Sequence, residues 1–192
     1  MIQFLTTKAD WNEVKILGIG LGVKDFHCYY PVSEKQALPQ QIISIITDRR
    51  IVKIGYDLKK QMLITDNLGI TFNGPLEDVC IGGYLVTAGQ GGSDLEVLAE
   101  NYLQRTIPAY RNERGKIVPV FSLPENLPSE ELSRIACGRL QALKLLREKF
   151  MEIMETVNLI SLYYEVELPL IEVLFQMEKT GIKVDPVILQ SF

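Results

Sequence analysis

The sequence predicts an α/β fold with a mixed β-sheet flanked by helices, and three observations support this prediction. Three β-favouring segments follow one another within the first 32 residues. A helical pattern at residues 40–48 leads into a further strand pattern at residues 49–55, which implies a crossover connection and a parallel pairing. Long amphipathic helical patterns then occupy the C-terminal part of the chain. Antiparallel and parallel strands covered by helices are typical of this class.

The first three strands are apolar or aromatic runs, and they lie at residues 2–7, 14–22 and 26–32. The links between them are short, so an antiparallel meander is the simplest arrangement. Gly18, Gly20 and Gly22 lie within or at the end of the second strand, and no helix follows them. They therefore do not match the glycine-rich loop that binds dinucleotides at the start of a helix.

The middle of the chain alternates helices with one further strand. Asp57 is placed to cap a helix that runs to about residue 67. Residues 68–72 are predicted as the next strand, and residues 77–87 as a helix. Ser93 is predicted to cap another helix, because acidic residues follow it in the first turn.

The longest helix follows an irregular connector. Residues 106–126 hold several prolines and charges and are predicted to lack regular structure. Ser129 is predicted to cap the helix after them. Its apolar face is formed at three- and four-residue steps by Leu132, Ala136, Leu140, Leu143, Arg147, Phe150, Met154 and Val157.

The last helix has clear signals at both ends. Pro169 suits a first turn because its ring fixes φ and it lacks an N–H, and Gly181 can take the left-handed conformation that ends a helix. The helix is therefore predicted from residue 168 to about residue 180. The helix has an apolar stripe that must pack against another surface, and this stripe consists of Leu170, Val173, Leu174 and Met177.

Composition and charge limit the function. The chain has 192 residues, 47% of them hydrophobic, which suits one domain with a real core plus an appendage. It has no run of 18 apolar residues and no signal-peptide pattern at its start, so we expect a cytoplasmic protein with no membrane partner. The formal net charge of −4 argues against a dedicated binding site for the phosphate backbone of nucleic acid. A local basic patch can still bind phosphates despite the negative net charge.

Cysteine and histidine chemistry is not indicated. Cys28, Cys80 and Cys137 lie far apart in sequence, and His27 is the only histidine. A zinc site with two histidines is therefore excluded. A Ser–His catalytic pair has poor support. We expect the cysteines to be reduced, buried thiols.

Two motif regions carry a family resemblance. The first reads K-I-G-Y-D-L-K from Lys53 and continues to G-P-L-E-D from Gly74, and the second reads E-V-E-L-P-L-I-E-V-L from Glu165 and ends with M-E-K-T-G-I-K-V-D at Asp185. Together they resemble the 3′-to-5′ exonuclease-like domain of bacterial family A DNA polymerases (DNA polymerase I type) and its junction with the polymerase module. The resemblance implies a ribonuclease H-like exonuclease fold. It also implies an exonuclease-like domain at residues 1–160 and the truncated start of a polymerase module at residues 161–192.

The resemblance also implies partners and a docking surface. The partners would be the polymerase module of the same chain and, in the intact protein, DNA. Magnesium would act in the intact polymerase, during replication and repair, and no cofactor is expected in this fragment. We expect the stripe of the last helix to pack partly on this domain and partly on the polymerase module, which leaves some of its residues exposed.

Nucleases of this fold hold two metal ions with carboxylates, because hard divalent cations prefer charged oxygen ligands. The resemblance implies an acidic pair on the first strand, an acid on the helix after Asp57 and an acid on the longest helix. Those positions fall on Leu5, Thr7, Gln61 and Ile135, and none of them is acidic. We therefore predict a vestigial exonuclease domain without catalytic or metal-binding residues, whose role is structural support.

Two alternatives stay open at this point. An active nuclease with relocated ligands would use other acids, and the available ones are Asp57, Glu77, Asp78 and Asp94. A single-stranded DNA-binding module would need aromatic and basic residues side by side, and the one such cluster contains Tyr102, Arg105, Tyr110 and Arg111. Arg105, Tyr110 and Arg111 are accordingly the candidate DNA contacts.

Overall fold

The strands pair in two sets. The structure is a computed structural model that describes residues 1–7, 14–33, 37–89 and 94–183. Within these residues, an antiparallel sheet has the order β1–β2–β3, and a separate pair, β4–β5, is parallel. The strands are β1 (Ile2–Thr6), β2 (Ile16–Val23), β3 (Phe26–Pro31), β4 (Lys53–Gly55) and β5 (Leu76–Asp78).

The predicted meander is confirmed, and its glycines serve packing. A Cβ atom on Gly18 would lie 2.2 Å from the ring of Tyr29 on the neighbouring strand. The Tyr29 hydroxyl donates a hydrogen bond of 3.0 Å to the carbonyl of Leu17. The missing side chain therefore lets the Tyr29 ring lie close against β2, which is a structural use of the glycine.

Helices cover the strands, and the α/β class is confirmed. They are α1 (Gln40–Thr47), α2 (Leu58–Asn67), α3 (Val79–Val86), α4 (Leu95–Leu103), α5 (Ser129–Thr156), α6 (Ile160–Leu162) and α7 (Leu168–Thr180), with a π-helical segment (Tyr163–Glu167) between the last two. Helix α5 packs across β1, β2 and β3 and against α3 and α4. No helix in the described ranges is both long and apolar enough to cross a membrane.

The strand predicted at residues 68–72 is wrong. The amide of Ile70 donates to the carbonyl of Thr65, and the amide of Asn73 donates to the carbonyl of Ile46. These bonds close the C-terminal ends of α2 and α1, so the segment has no free amides at these positions for a strand ladder. The partner of β4 comes later instead, at β5, and α3 starts after it at Val79.

Other local predictions hold or shift by one residue. Asp57 caps α2 by accepting a 3.3 Å hydrogen bond from the amide of Lys60. Ser129 is the first residue of α5, and Pro128 occupies the cap position. Ser93 lies outside the described residues. The expectation of buried cysteines is wrong, because Cys28 lies exposed on the edge strand β3, and Cys80 and Cys137 are partly exposed.

The connector between α4 and α5 is irregular, as predicted, yet it contributes to the core. Val120, Phe121 and Leu123 are buried. The amide of Thr6 donates to the carbonyl of Val120, and the amide of Leu123 donates to the carbonyl of Thr6, both at 2.9 Å. The connector therefore pairs with the C-terminal end of β1.

Helix α7 has the predicted ends but buries a different face. Pro169 lies in its first turn, and Gly181 follows it with a φ of 72°. Its buried residues are Leu168, Ile171 and Phe175, and the helix packs on α2. The stripe predicted from the sequence is exposed, with exposed fractions of 39% for Leu170, 52% for Val173, 39% for Leu174 and 64% for Met177.

Candidate functional site

Two of the positions implied for metal ligands lie at the C-terminal end of β1. Leu5 is fully buried within the apolar core. Thr7 follows the strand, and its hydroxyl accepts a 3.0 Å hydrogen bond from the amide of Lys15. Leu5 thus contributes packing, and Thr7 holds the start of β2 beside the end of β1.

The third position, Gln61, is a fully buried amide on α2. Its Oε1 accepts a hydrogen bond of 3.3 Å from the amide of Phe4 on β1. Its Nε2 donates a hydrogen bond of 2.9 Å to the carbonyl of Tyr56. An amide can do both because it carries an acceptor and a donor, whereas a carboxylate offers acceptors alone. Gln61 therefore bridges β1 to the loop between β4 and α2.

The fourth position, Ile135, is fully buried on α5, and a buried arginine lies one turn further on. The guanidinium of Arg139 forms an ion pair with Glu96 and lies 5.5 Å from the centroid of the Tyr56 ring. Burial lowers the pKa of Arg139, and the Glu96 carboxylate opposes this shift. Tyr56 thus contacts both Gln61 and Arg139, and the positive charge of Arg139 lies one helical turn from Ile135 on α5.

Sequence reasoning missed Arg139, although a usable signal was present. Arg139 follows Ile135 by four residues, so both lie on the same face of α5. Its partner Glu96 belongs to α4 and lies 43 residues away in sequence. A charged residue on the apolar face of a long helix indicates a buried ion pair, but the sequence alone does not identify the partner.

Three of the four acids that could form a relocated metal site, Asp57, Glu77 and Asp78, already have other partners. The buried carboxylate of Asp78 accepts hydrogen bonds from the amides of Asp57 at 3.2 Å, Leu58 at 2.6 Å and Cys80 at 2.8 Å. Burial raises the pKa of Asp78 to about 6, and these backbone hydrogen bonds oppose the shift. Asp78 therefore ties the start of α2 to the start of α3.

Glu77 is engaged on the other side of β5. It forms an ion pair with Arg147 at 2.6 Å and accepts a 3.0 Å hydrogen bond from the hydroxyl of Tyr164. Asp94, the last of the four acids, precedes α4. In the part of the chain that the structure describes, no group of three or more histidine, cysteine, aspartate or glutamate residues is placed to hold a metal ion.

The candidate DNA contacts lie in and before a short turn in the connector. Arg105 is exposed, and Tyr110 is half-buried against the core. Arg111 is exposed, and its guanidinium donates a 2.9 Å hydrogen bond to the carbonyl of Gly115. A role of these residues in DNA contact stays a prediction.

An exposed apolar surface runs along the C-terminal helices. We call it the C-terminal stripe, and its exposed residues are Leu162, Val166, Leu170, Val173, Leu174 and Met177. Steps of three or four residues link Leu162, Val166, Leu170, Val173 or Leu174, and Met177, which places them along one side of the helical segment. Large apolar side chains grouped in this way often mark a surface that another domain or protein covers.

Two adjacent tyrosines anchor the segment that carries this stripe. The hydroxyl of Tyr163 donates to the carbonyl of Asp78 at 3.2 Å, and the hydroxyl of Tyr164 donates to Glu77. Both tyrosines lie in the π-helical segment, and both contact β5. The C-terminal helices are therefore tied to the sheet through the same strand end that carries the buried acids.

Sequence comparisons identify known proteins that are similar to this chain. A family model described as "DNA polymerase I, ribonuclease H-like domain" matches residues 3–111. DNA polymerase I of Bacillus subtilis is 29% identical over 176 residues, which are 92% of this chain and 19% of that protein. DNA polymerase I of Caldicellulosiruptor bescii is 31% identical over 169 residues, which are 85% of this chain and 17% of that protein. The chain thus spans about a fifth of the length of these relatives.

Solved structures share the fold. The POL domain of Pol1 from M. smegmatis, in complex with DNA primer-template and dNTP, superposes with a TM-score of 0.74 at 20% identity, over 98% of this chain and 30% of that chain. NrnC of Brucella melitensis bound to pGG superposes with a TM-score of 0.76 at 15% identity, over 96% of this chain and 87% of that chain.

Proposed function

Because the chain belongs to the family of ribonuclease H-like domains of DNA polymerase I, we propose that it is a non-catalytic exonuclease-like domain that supports the polymerase module of its parent protein. The parent protein would carry out template-directed DNA synthesis in replication and repair, in the cytoplasm. Magnesium would then serve the polymerase module, with no cofactor held by residues 1–160.

The loss of catalysis rests mainly on Leu5, Gln61 and Ile135. Each is fully buried and neutral, and each stands where the resemblance implies a metal-binding carboxylate. Two-metal hydrolysis needs such carboxylates to hold the cations that activate water and stabilise the leaving oxygen. A leucine, an isoleucine and an amide whose Oε1 and Nε2 already bond to the backbone supply none of this charge.

The supporting role draws on the C-terminal stripe. Leu168, Ile171 and Phe175 fix α7 on this domain, while the C-terminal stripe stays open on the other side of the helix. We propose that the polymerase module covers this stripe, with the domain boundary near residues 160 and 161. Helix α7 would then be shared between the two domains.

An exonuclease assay tests the first part of the proposal. The 192-residue chain is incubated with a labelled single-stranded or mismatched primer in millimolar Mg²⁺ or Mn²⁺, beside a known two-metal exonuclease as the positive control. We expect no release of nucleotides above background. Metal-dependent release that disappears when Asp57 or Asp78 is changed to Asn would contradict the proposal and support relocated ligands.

A further inference from the structure

An open groove lies at the end of the antiparallel sheet where β2 turns into β3. Its volume is about 450 Å³, which is within the usual range for ligand sites of 300–1,000 Å³. Most of its walls are aliphatic, and they come from β1, β2, α1 and the start of β4. The main wall residues are Ile2, Leu21, Val23, Ile45, Val52 and Ile54. We call it the turn groove.

The rim of the turn groove is positively charged in a chain whose net charge is negative. Lys24, Lys144 and Arg147 contribute to its lining, against the single acid Glu148, whereas the fourth lining cation, Lys53, is buried and donates its ammonium to the carbonyl of Asp48. Lys144 pairs with the exposed Asp25 at 2.6 Å, and Arg147 pairs with Glu77. Among the described residues, Lys24 has no carboxylate partner at the tip of the β2–β3 turn. The unpaired Lys24, together with the excess of accessible cations over the one lining acid, therefore favours an anionic group at this rim.

Apolar surface continues beyond the groove. Val23 is 73% exposed and Phe26 is 86% exposed, and they flank the turn that carries Lys24. A large aromatic side chain in water beside an apolar groove is a common feature of surfaces that bind other proteins.

The turn groove is separate from the positions implied for metal ligands. Ile2 and Leu5 are three residues apart on β1, or about 10 Å at 3.3 Å per residue. Ile135 and Lys144 are nine residues apart on α5, or about 14 Å at 1.5 Å per residue. The groove therefore lies towards the opposite ends of the same two elements.

From these observations we propose that the turn groove binds an acidic peptide segment of a partner protein, with carboxylates on the lysine rim and apolar side chains in the groove. Nucleic acid shares the negative charge, but unpaired bases bind proteins mainly by stacking on aromatic rings. The groove walls are aliphatic, and the exposed aromatic ring at the turn, Phe26, lies outside them. The proposal concerns a surface that the loss of catalysis and the docking of α7 do not involve.

Selection from a peptide library tests this binding directly. A random library is selected on the immobilised 192-residue chain, and enriched peptides are then titrated by fluorescence anisotropy. We expect the enriched sequences to combine two or more carboxylates with at least one large apolar residue. Enrichment of basic or uncharged sequences, or no enrichment at all, would overturn the proposal.

Variants locate the binding. The double change Lys24→Glu and Lys144→Glu, and separately Val23→Asp, should each weaken binding of the enriched peptide about tenfold, which corresponds to about 1.4 kcal/mol. Matched controls are Lys149→Glu, which changes an exposed lysine on α5 outside the groove, and Val157→Asp, which changes an exposed valine at the C-terminal end of α5, outside both the groove and the C-terminal stripe. Neither control should change the affinity more than about twofold.

Three further results would count against the proposal. One is binding of an oligothymidine that the same groove variants weaken, since it would assign the groove to nucleic acid. Another is concentration-dependent dimerisation, measured by sedimentation, that Val23→Asp abolishes, since a second copy would then fill the groove. The third is equal peptide binding by the groove and control variants, with thermal unfolding followed by circular dichroism to verify that all of them are folded.

Discussion

Asp78 and Gln61 occupy comparable places, because each lies where one of the two parallel strands passes into a helix, and each is buried. Asp78 faces three backbone N–H donors and carries a carboxylate, which accepts from all of them. Gln61 faces one donor and one acceptor and carries an amide, which satisfies both. The comparison teaches that these buried polar side chains match the backbone groups around them, and neither needs a metal ion to be satisfied.

The largest expected effect comes from placing acidic residues at the four neutral positions where the resemblance implies metal ligands. Combining Leu5→Asp, Thr7→Glu, Gln61→Asp and Ile135→Asp would place carboxylates at three fully buried positions. Since an unpaired buried charge is strongly destabilising, we expect the variant to be unfolded rather than to bind metal. Circular dichroism and calorimetric titration with Mn²⁺ measure the two outcomes. A folded variant that binds Mn²⁺ would mean that the region has kept the shape of a metal site.

The next largest effect is expected from removing the carboxylate of Asp78, which accepts hydrogen bonds from three backbone amides. Asp78→Ala leaves the amides of Asp57, Leu58 and Cys80 without their acceptor in a buried place. We expect the free energy of unfolding, measured with urea, to fall by about 3 kcal/mol or more. Asp25→Ala is the control, because Asp25 is exposed and should change stability by less than about 1 kcal/mol. Equal losses in the two variants would remove the contrast between Asp78 and an ordinary surface acid.

The titration of Asp78 should also appear in the pH dependence of stability. Its pKa is raised to about 6 in the folded chain, so the folded state holds the proton more tightly than the unfolded state does. The resulting extra stability is fully present below about pH 4 and is lost as the pH rises to about 6. We expect this loss to be up to about 3 kcal/mol, seen as the difference between the chain and Asp78→Asn in urea unfolding from pH 4 to pH 7. A difference that does not change with pH would show that the buried carboxylate keeps its ordinary pKa.

The smallest effect on this chain comes from its exposed surface. Val173→Asp should change the free energy of unfolding of the 192-residue chain by less than about 0.5 kcal/mol, because Val173 is 52% exposed. The same change in the full-length parent should lower the melting temperature of the polymerase if the stripe is covered there, since it would bury a charge. Glu172→Asp provides a conservative control on the same helix. An unchanged melting temperature of the parent would contradict the docking of the C-terminal stripe.

Several features could be read from the sequence because their signals are local. Pro169 and Gly181 bound α7, and Asp57 caps α2, as predicted. The three-stranded meander follows from short links between β-favouring runs. In each case the deciding atoms lie within a few residues of one another, so a short stretch of sequence contains the necessary information.

Tertiary structure decided which segment pairs with β4 and which face of α7 is buried. Residues 68–72 have strand-like composition, but the amides of Ile70 and Asn73 are bound to helix ends, and β5 forms at Leu76. Helix α7 is apolar on more than one side, and its packing on α2 selects Ile171 and Phe175 for burial. The pairing of Arg139 with Glu96 joins two helices that are remote in sequence. Propensity and periodicity describe what a segment can do alone, whereas these outcomes depend on the partners that the folded chain brings to each segment.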